Sequence, residues 1–228
     1  MEQLNTNAVA GVALSRAELE EHLAQGVRRF ESCTFDDEDL SRLDLQGCTF
    51  ERCTFAGAIL FACKLARSHW LRCRAGGVDL ESVDAVDARF DGCDLNNAKW
   101  RRAKLASAAF HGCKLTGASF EEVAHLGIHF EECLLVGADM RGFSFKKATL
   151  KQLEFSEAYL SGCDFREAVF EGGSLRNAVL KLAKFQGADL RATNIEGVRL
   201  TEVGLFKGAV ISHAQAAAFL RELDLVVI

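Results

Sequence analysis

Nine cysteines carry the most chemical potential in this chain: Cys33, Cys48, Cys53, Cys63, Cys73, Cys93, Cys113, Cys133 and Cys163. Thiols at that density suggest a disulfide ladder, a metal site or a nucleophile. The number is odd, which suits a paired secreted framework badly, and no C-x-x-C pair occurs, so zinc is weakly supported. His125 and His129 form an i,i+4 pair, which on a helix is a metal-binding spacing. Carboxylates cluster at Asp36, Asp37, Glu38 and Asp39, and again at Glu121, Glu122, Glu131, Glu132 and Asp139, with no basic residue between 121 and 140. Basic stretches flank that band, with Lys99, Arg101, Arg102, Lys104 and Lys114 before it and Arg141, Lys146, Lys147 and Lys151 after it. Which of these chemistries is available depends on the backbone that holds the side chains.

That backbone is set by a period of five. From Phe30 every fifth residue is large and apolar: Phe35, Leu40, Leu45, Phe50, Phe55, Leu60 and so on to Leu205, with Ala75, Ala85 and His125 the exceptions. Neither a helix nor a flat strand gives that spacing. Two residues before most centres the side chain is small, and all nine cysteines stand at that place. Both positions point inward only if the chain turns a corner every five residues. Thirteen of the 19 glycines lie two residues after a centre, where a type II turn requires a positive φ.

A second period, of 20, runs through Phe30, Phe50, Trp70, Phe90, Phe110 and Phe130, and through Cys33, Cys53, Cys73, Cys93, Cys113 and Cys133. Residues 20 apart must therefore stack, giving four faces per coil. The expected fold is all-β, a quadrilateral β-helix of about nine coils over residues 30–208, with a register that does not slip. A short loop is possible only near 142–155, where the cysteine column fades into Leu153 and Gly173. Nine coils at roughly 4.8 Å make a stack about 43 Å long.

Solenoid ends expose apolar faces and need caps. Residues 1–29 form the first, with Ser15-Arg16-Ala17-Glu18 as a capping box, Leu14 and Leu19 as a staple, and a helix to about Gln25 stopped by Gly26. Residues 209–228 form the second, with Ser212-His213-Ala214-Gln215 opening a helix through Leu223 and a strand over Leu225–Ile228. This apolar ending reads as a dimerisation module, with Ala217, Phe219, Leu220, Leu223, Leu225 and Val227 at the subunit interface.

Placed on such a coil, the cysteines are small buried hydrophobes in a reducing compartment. His125 and His129 point to different sides, and His125 is a satisfied core or corner residue. A filled solenoid has no catalytic pocket, so no catalytic residue, metal or cofactor is expected and the chain does not read as an enzyme. A net charge of −5 gives no basis for direct nucleic-acid binding. No apolar stretch is long enough for a membrane span, and Met1-Glu2-Gln3-Leu4 lacks a signal-peptide n-region, so the expected location is cytoplasmic.

Ala188-Asp189-Leu190-Arg191-Ala192 and Cys163-Asp164-Phe165-Arg166-Glu167 resemble the A(D/N)LXX unit of the pentapeptide-repeat family, which implies a right-handed solenoid. Two segments are similar to its Qnr/MfpA branch: Leu126-Gly127-Ile128 followed by Gly137-Ala138-Asp139-Met140-Arg141-Gly142-Phe143-Ser144-Phe145, and the ending from Gln215 to Ile228. The resemblance implies a homodimer joined through the C-terminal ends that mimics duplex DNA and binds DNA gyrase or topoisomerase IV. Such proteins protect these enzymes from quinolones or from producer-made poisons of the albicidin or cystobactamid kind. The unbroken repeat lacks the loops of Qnr proteins and favours an MfpA-like or producer-type member. A duplex carries one charge per ~1.7 Å, about 25 over ~43 Å, far more than this chain's net charge. Mimicry must therefore be local, at Asp36, Asp37, Asp39, Glu121, Glu122, Glu131 and Glu132. The competing reading is an interaction scaffold or effector with no topoisomerase target.

Overall fold

The computed structural model describes residues 8–197 and 204–221. The chain divides into two compact units, residues 1–129 and 130–228, each an all-parallel β-solenoid.

In the first unit β1 (Ala8–Ala10) precedes α1 (Arg16–Ala24), and β2 (Arg29–Glu31), β3 (Thr49–Glu51), β4 (His69–Leu71), β5 (Arg89–Asp91) and β6 (Ala109–His111) follow. Each strand pairs in parallel with the next, at a shift of 21 residues between β1 and β2 and of 20 from β2 onward, Phe30 against Phe50 and Phe50 against Trp70. The other faces join through single bridges such as Asp44↔Lys64 and Asp79↔Lys99. Every coil hands its backbone donors to its neighbours: Phe35 N donates to Thr54 O at 2.8 Å and Thr54 N to Cys33 O at 2.9 Å. These ladders satisfy main-chain polar groups that a tube packed with side chains could not otherwise accommodate.

Corners close as the glycines predict, with Cys48 N donating to Leu45 O at 3.2 Å around Gly47, whose φ is +64°. The same left-handed conformation is imposed on 20 residues that are not glycine, Asp37, Arg67, Asn97 and Glu122 among them. The repeat geometry therefore overrides the cost of about 1–2 kcal/mol that an L side chain incurs there.

Inside, the rings form continuous columns. Phe30 stacks on Phe50 with centroids 5.4 Å apart, Phe35 on Phe55 at 4.7 Å, and Phe90 on Phe110 at 4.8 Å. The Trp70 ring leans to 4.6 Å from both Phe50 and Phe55, and its indole N–H donates to Ser68 Oγ at 2.9 Å. The coil at 123–128 is less well covered: Val123, His125 and Ile128 are half-buried where their equivalents in earlier coils are buried.

The N-terminal cap forms as expected. Ser15 N donates to Glu18 Oε2 at 2.8 Å, Glu18 N donates to Ser15 Oγ, and Leu14 and Leu19 are buried. Gly26, at φ +82°, ends the helix, its N–H donating to Leu23 O at 3.0 Å. β1 adds that the cap itself begins the sheet, pairing Val9 with Phe30.

The second unit carries β7 (His129–Glu131), which starts at the boundary, then β8 (Thr149–Lys151), β9 (Val169–Glu171) and α2 (His213–Arg221). Among the described residues eight solenoid strands, β2 to β9, line this face, and a further coil joins them through the Val169↔Asp189 bridge. The possible loop near 142–155 does not form: Phe145 N donates to Asp164 O and Glu154 N to Cys133 O without a break. Two expectations need correction here.

Gly173 does not continue the cysteine column as an ordinary inward residue. Gly172 and Gly173 both take positive φ, +87° and +75°, and the following Ser174 is buried, its Oγ 2.9 Å from Ser156 Oγ. Finally, the register slips by one residue between Asn194 and Phe206. Asn194 lies 20 beyond its partner Ser174, whereas Val210 lies 21 beyond Asp189. Phe206 rather than Leu205 is consequently buried, stacked on Phe185 at 4.7 Å.

The second capping box holds: Ser212 N donates to Gln215 Oε1 at 2.7 Å and Gln215 N to Ser212 Oγ at 3.2 Å. The expected continuation through Leu223 and the strand over Leu225–Ile228 lie outside the described residues.

Candidate interaction surface

With alternate positions filling the core, each five-residue face presents one side chain before its centre and two at the following corner. Functional chemistry is confined to these columns, in which residues 20 apart are neighbours.

The acidic residues differ in what surrounds them. Glu121 and Glu122 lie 3.7 and 3.9 Å from Arg101 Nε, and Glu131 lies 3.3 Å from Lys151 Nζ. An acidic band in the linear sequence is thus neutralised in space by cations one coil away. Glu132 is exposed at a left-handed corner. The Asp36–Asp39 group, on the first unit, is different. Asp36 and Asp37 are exposed, and neither has a cation within ion-pair distance among the described residues. Asp36 Oδ1 accepts from Ala56 N at 2.8 Å, and Asp39 Oδ1 accepts from Ser41 N, a bond that holds its carboxyl below the usual range. Glu38 is turned toward α1, where it accepts from Arg16 N at 3.0 Å.

Sequence reading missed a recurrent clamp in the second unit. An Asp before the centre takes the guanidinium of an Arg after it, two bonds at a time: Asp139 with Arg141, Asp164 with Arg166 and Asp189 with Arg191, each closing to 2.6 Å. The repeated D-x-R spacing in the sequence is the signal that would have found it. Arg166 depresses the Asp164 carboxyl to about 2.

All nine cysteines are buried and outside any disulfide. In the main column of the first unit the Sγ–H donates to a carbonyl of the preceding coil, Cys73 to Phe50 O at 3.2 Å and Cys113 to Phe90 O at 3.2 Å. Burial pushes the Cys48 and Cys63 thiols up to about 11 and that of Cys163 to about 12. His125 is half-buried with Nδ1 3.2 Å from the Val123 carbonyl, and His129 is exposed. Among the described residues, no group of three or more His, Cys, Asp or Glu side chains is placed to hold a metal ion, and no helix is long and apolar enough to cross a membrane.

At the C-terminal end, Gln215 Nε2 donates to Leu190 O and Thr193 O, both at 2.8 Å, and so fastens α2 to the last turn. Phe219 is buried against that turn, Ala217 is half-buried, and Leu220 is exposed. A cavity of about 270 Å3 lies between them, lined by Thr193, Ile195, Ala214, Gln215, Ala218 and Phe219. Leu223, Leu225 and Val227 lie outside the described residues.

A parallel solenoid with four-sided coils and a filled core is a repeat protein. The family model for the pentapeptide repeat region matches residues 28–100 and 103–177, and that for eight-copy pentapeptide repeats matches 163–201. The chain belongs to the pentapeptide-repeat family. No curated protein matches its sequence. Among solved structures it is similar to a trypsin-treated variant of QnrB1, a plasmid-mediated fluoroquinolone resistance protein, with 19% identity, a TM-score of 0.70 and 97% of each chain covered. Full-length QnrB1 aligns with 19% identity and a TM-score of 0.61, covering 96% of this chain and 97% of that one. At that identity the likeness shows the fold.

Proposed function

We propose that this protein acts by binding rather than by catalysis, and that its target is a bacterial type II topoisomerase, DNA gyrase or topoisomerase IV, which it shields from a poison. The observation that carries this reading is the extent of the likeness to QnrB1, a fluoroquinolone resistance protein, over 97% of both chains. The recognition element is local acidity, and the Asp36, Asp37 and Asp39 group serves it best, because Asp36 and Asp37 are exposed without a cation beside them. Glu121, Glu122, Glu131 and Glu132 form a secondary, partly neutralised contact. Two copies join through α2 and the residues after it, with Leu220 as the exposed apolar contact.

The test is a titration of the protein into gyrase supercoiling and cleavage reactions, with and without a fluoroquinolone. Wild type lowers the amount of drug-trapped cleaved DNA. Asp36→Lys together with Asp37→Lys weakens that effect about tenfold or more, as reversed charges at a recognition site do. Glu131→Lys with Glu132→Lys weakens it less. Equal potency of all three proteins removes the acidic-recognition element, and no effect of wild type on either reaction removes the topoisomerase reading.

A further inference from the structure

One corner of the first unit is cut away. Its column runs Arg52, Arg72, Gly92, Gly112, and the two glycines in succession leave the coil edge without side chains there. A Cβ on Gly112 would meet only the Gly92 Cα, at 4.0 Å, and one on Gly92 only the Arg72 Cγ, at 3.6 Å. The result is a concavity of about 280 Å3 whose charged walls are Arg72, Arg74, Lys114 and Asp94.

The cations there are not neutralised as their equivalents are. In the next column but one, Lys64 pairs with Asp44 at 3.4 Å and Lys104 with Asp84 at 3.7 Å across the same coil spacing. Arg74 and Lys114 flank Asp94 in just that way, Arg74↔Asp94 and Asp94↔Lys114. Yet neither forms an ion pair among the described residues, and Asp94 Oδ1 accepts instead from Asn96 Nδ2 at 2.6 Å. Arg72 lacks one of the two carboxylates that hold its counterpart: Arg52 pairs with Glu51 and Glu31, whereas Leu71 stands where Glu51 would be, and Glu51, in the place of Glu31, is taken by Arg29 and Arg52. The nearby Asp91 is engaged by His69 at 2.6 Å.

We propose that this notch binds the phosphate group of a small phosphomonoester. Three cations and one carboxylate leave a charge of +2, which matches a phosphate dianion, and two guanidinium forks can each offer paired donors to its oxygens. The glycines supply room rather than donors, since Gly92 N is already bonded to His111 O at 2.8 Å. The concavity exceeds one phosphate and leaves space for its substituent. A nucleic-acid backbone is a poorer fit, because it needs a track of cations and the neighbouring Arg52 is neutralised. The inference stands independently of the topoisomerase reading.

Calorimetric titration of the full chain with inorganic phosphate and with ribose 5-phosphate, at about 50 mM salt where screening is modest, tests it. Saturable binding at about 1 mM or tighter is expected for the ester, whether or not the free ion matches it. Arg72→Gln with Arg74→Gln weakens binding about tenfold or more, whereas Arg42→Gln, which removes an exposed charge from a different corner, leaves it unchanged. Thermal melts of each variant report that the fold is kept. Absence of saturable binding by wild type, or an equal loss with Arg42→Gln, overturns the site.

Discussion

At the scale of single residues, the solenoid makes side chains do things their types do not favour. Leu182 stands at a corner with φ +63° and is 71% exposed, so it bears left-handed strain of about 1–2 kcal/mol while packing little. Leu182→Gly removes that strain against an entropic cost of about 0.5–1 kcal/mol. A net gain of about 0.5–1 kcal/mol in urea unfolding is expected. Gly173 is the opposite case, because a Cβ there would overlap the Leu153 carbonyl oxygen as well as straining φ. Gly173→Ala is expected to cost about 3 kcal/mol in the same measurement. The thiols give a third expectation. Because all are buried, none of the nine reacts with a bulky disulfide reagent in native buffer, and all nine react after denaturation. A thiol that titrates natively would place a cysteine at the surface.

At the scale of elements, the coil was legible because one physical requirement repeats: each turn must bring a large centre and a small partner inward. That is why the corners, the stacked rings and both capping boxes follow from spacing alone. The failures fall where the period yields to a local event. The added residue before Phe206 could not be read, since Leu200 and Leu205 keep the five-residue pattern while the structure buries Phe206. Paired glycines at 172 and 173 fit the pattern too, but they take two successive positive φ values before a buried Ser174, while the ladder through Ser174 continues. α2 depends on one side chain more than its sequence suggests. Gln215 closes the capping box and also donates to two carbonyls of the last turn. Gln215→Ala leaves those carbonyls and the Ser212 N–H without their partner. It is expected to cost about 2 kcal/mol and to make α2 the first site of limited proteolysis. Unchanged protection of α2 would mean that Phe219 alone holds the helix.

At the scale of the whole molecule, charge was the least legible property, because reading along the chain separates groups that the coil brings together. Glu121 and Arg101 are 20 residues apart in sequence and 3.7 Å apart in space, so an apparently acidic band is largely a set of cross-coil pairs. The same folding of charge and thiols into fixed environments sets the pH limits of the protein. Arg166 lowers the Asp164 carboxyl from 3.8 to about 2, while Ser15 lowers Glu18 and Arg191 lowers Asp189. A depressed carboxyl binds its proton more readily in the unfolded chain, so its contribution is present above pH ~4 and is lost as pH falls toward 2. The thiols act in the other direction. Cys48, Cys63 and Cys163 are raised from 9.0 to about 11, 11 and 12, so the unfolded chain loses their protons first. Their contribution is complete below pH ~9 and declines as pH climbs through 11. Melting temperature should therefore be level from about pH 5 to 8 and fall on both sides, with the alkaline fall the steeper because these thiols are buried and the clamp carboxylates partly exposed. Cys63→Ala and Cys163→Ala each flatten the alkaline limb and leave the acid limb unchanged, whereas Arg166→Gln flattens the acid limb alone. An alkaline limb that survives replacement of Cys48, Cys63 and Cys163 together would show that these three thiols do not set it.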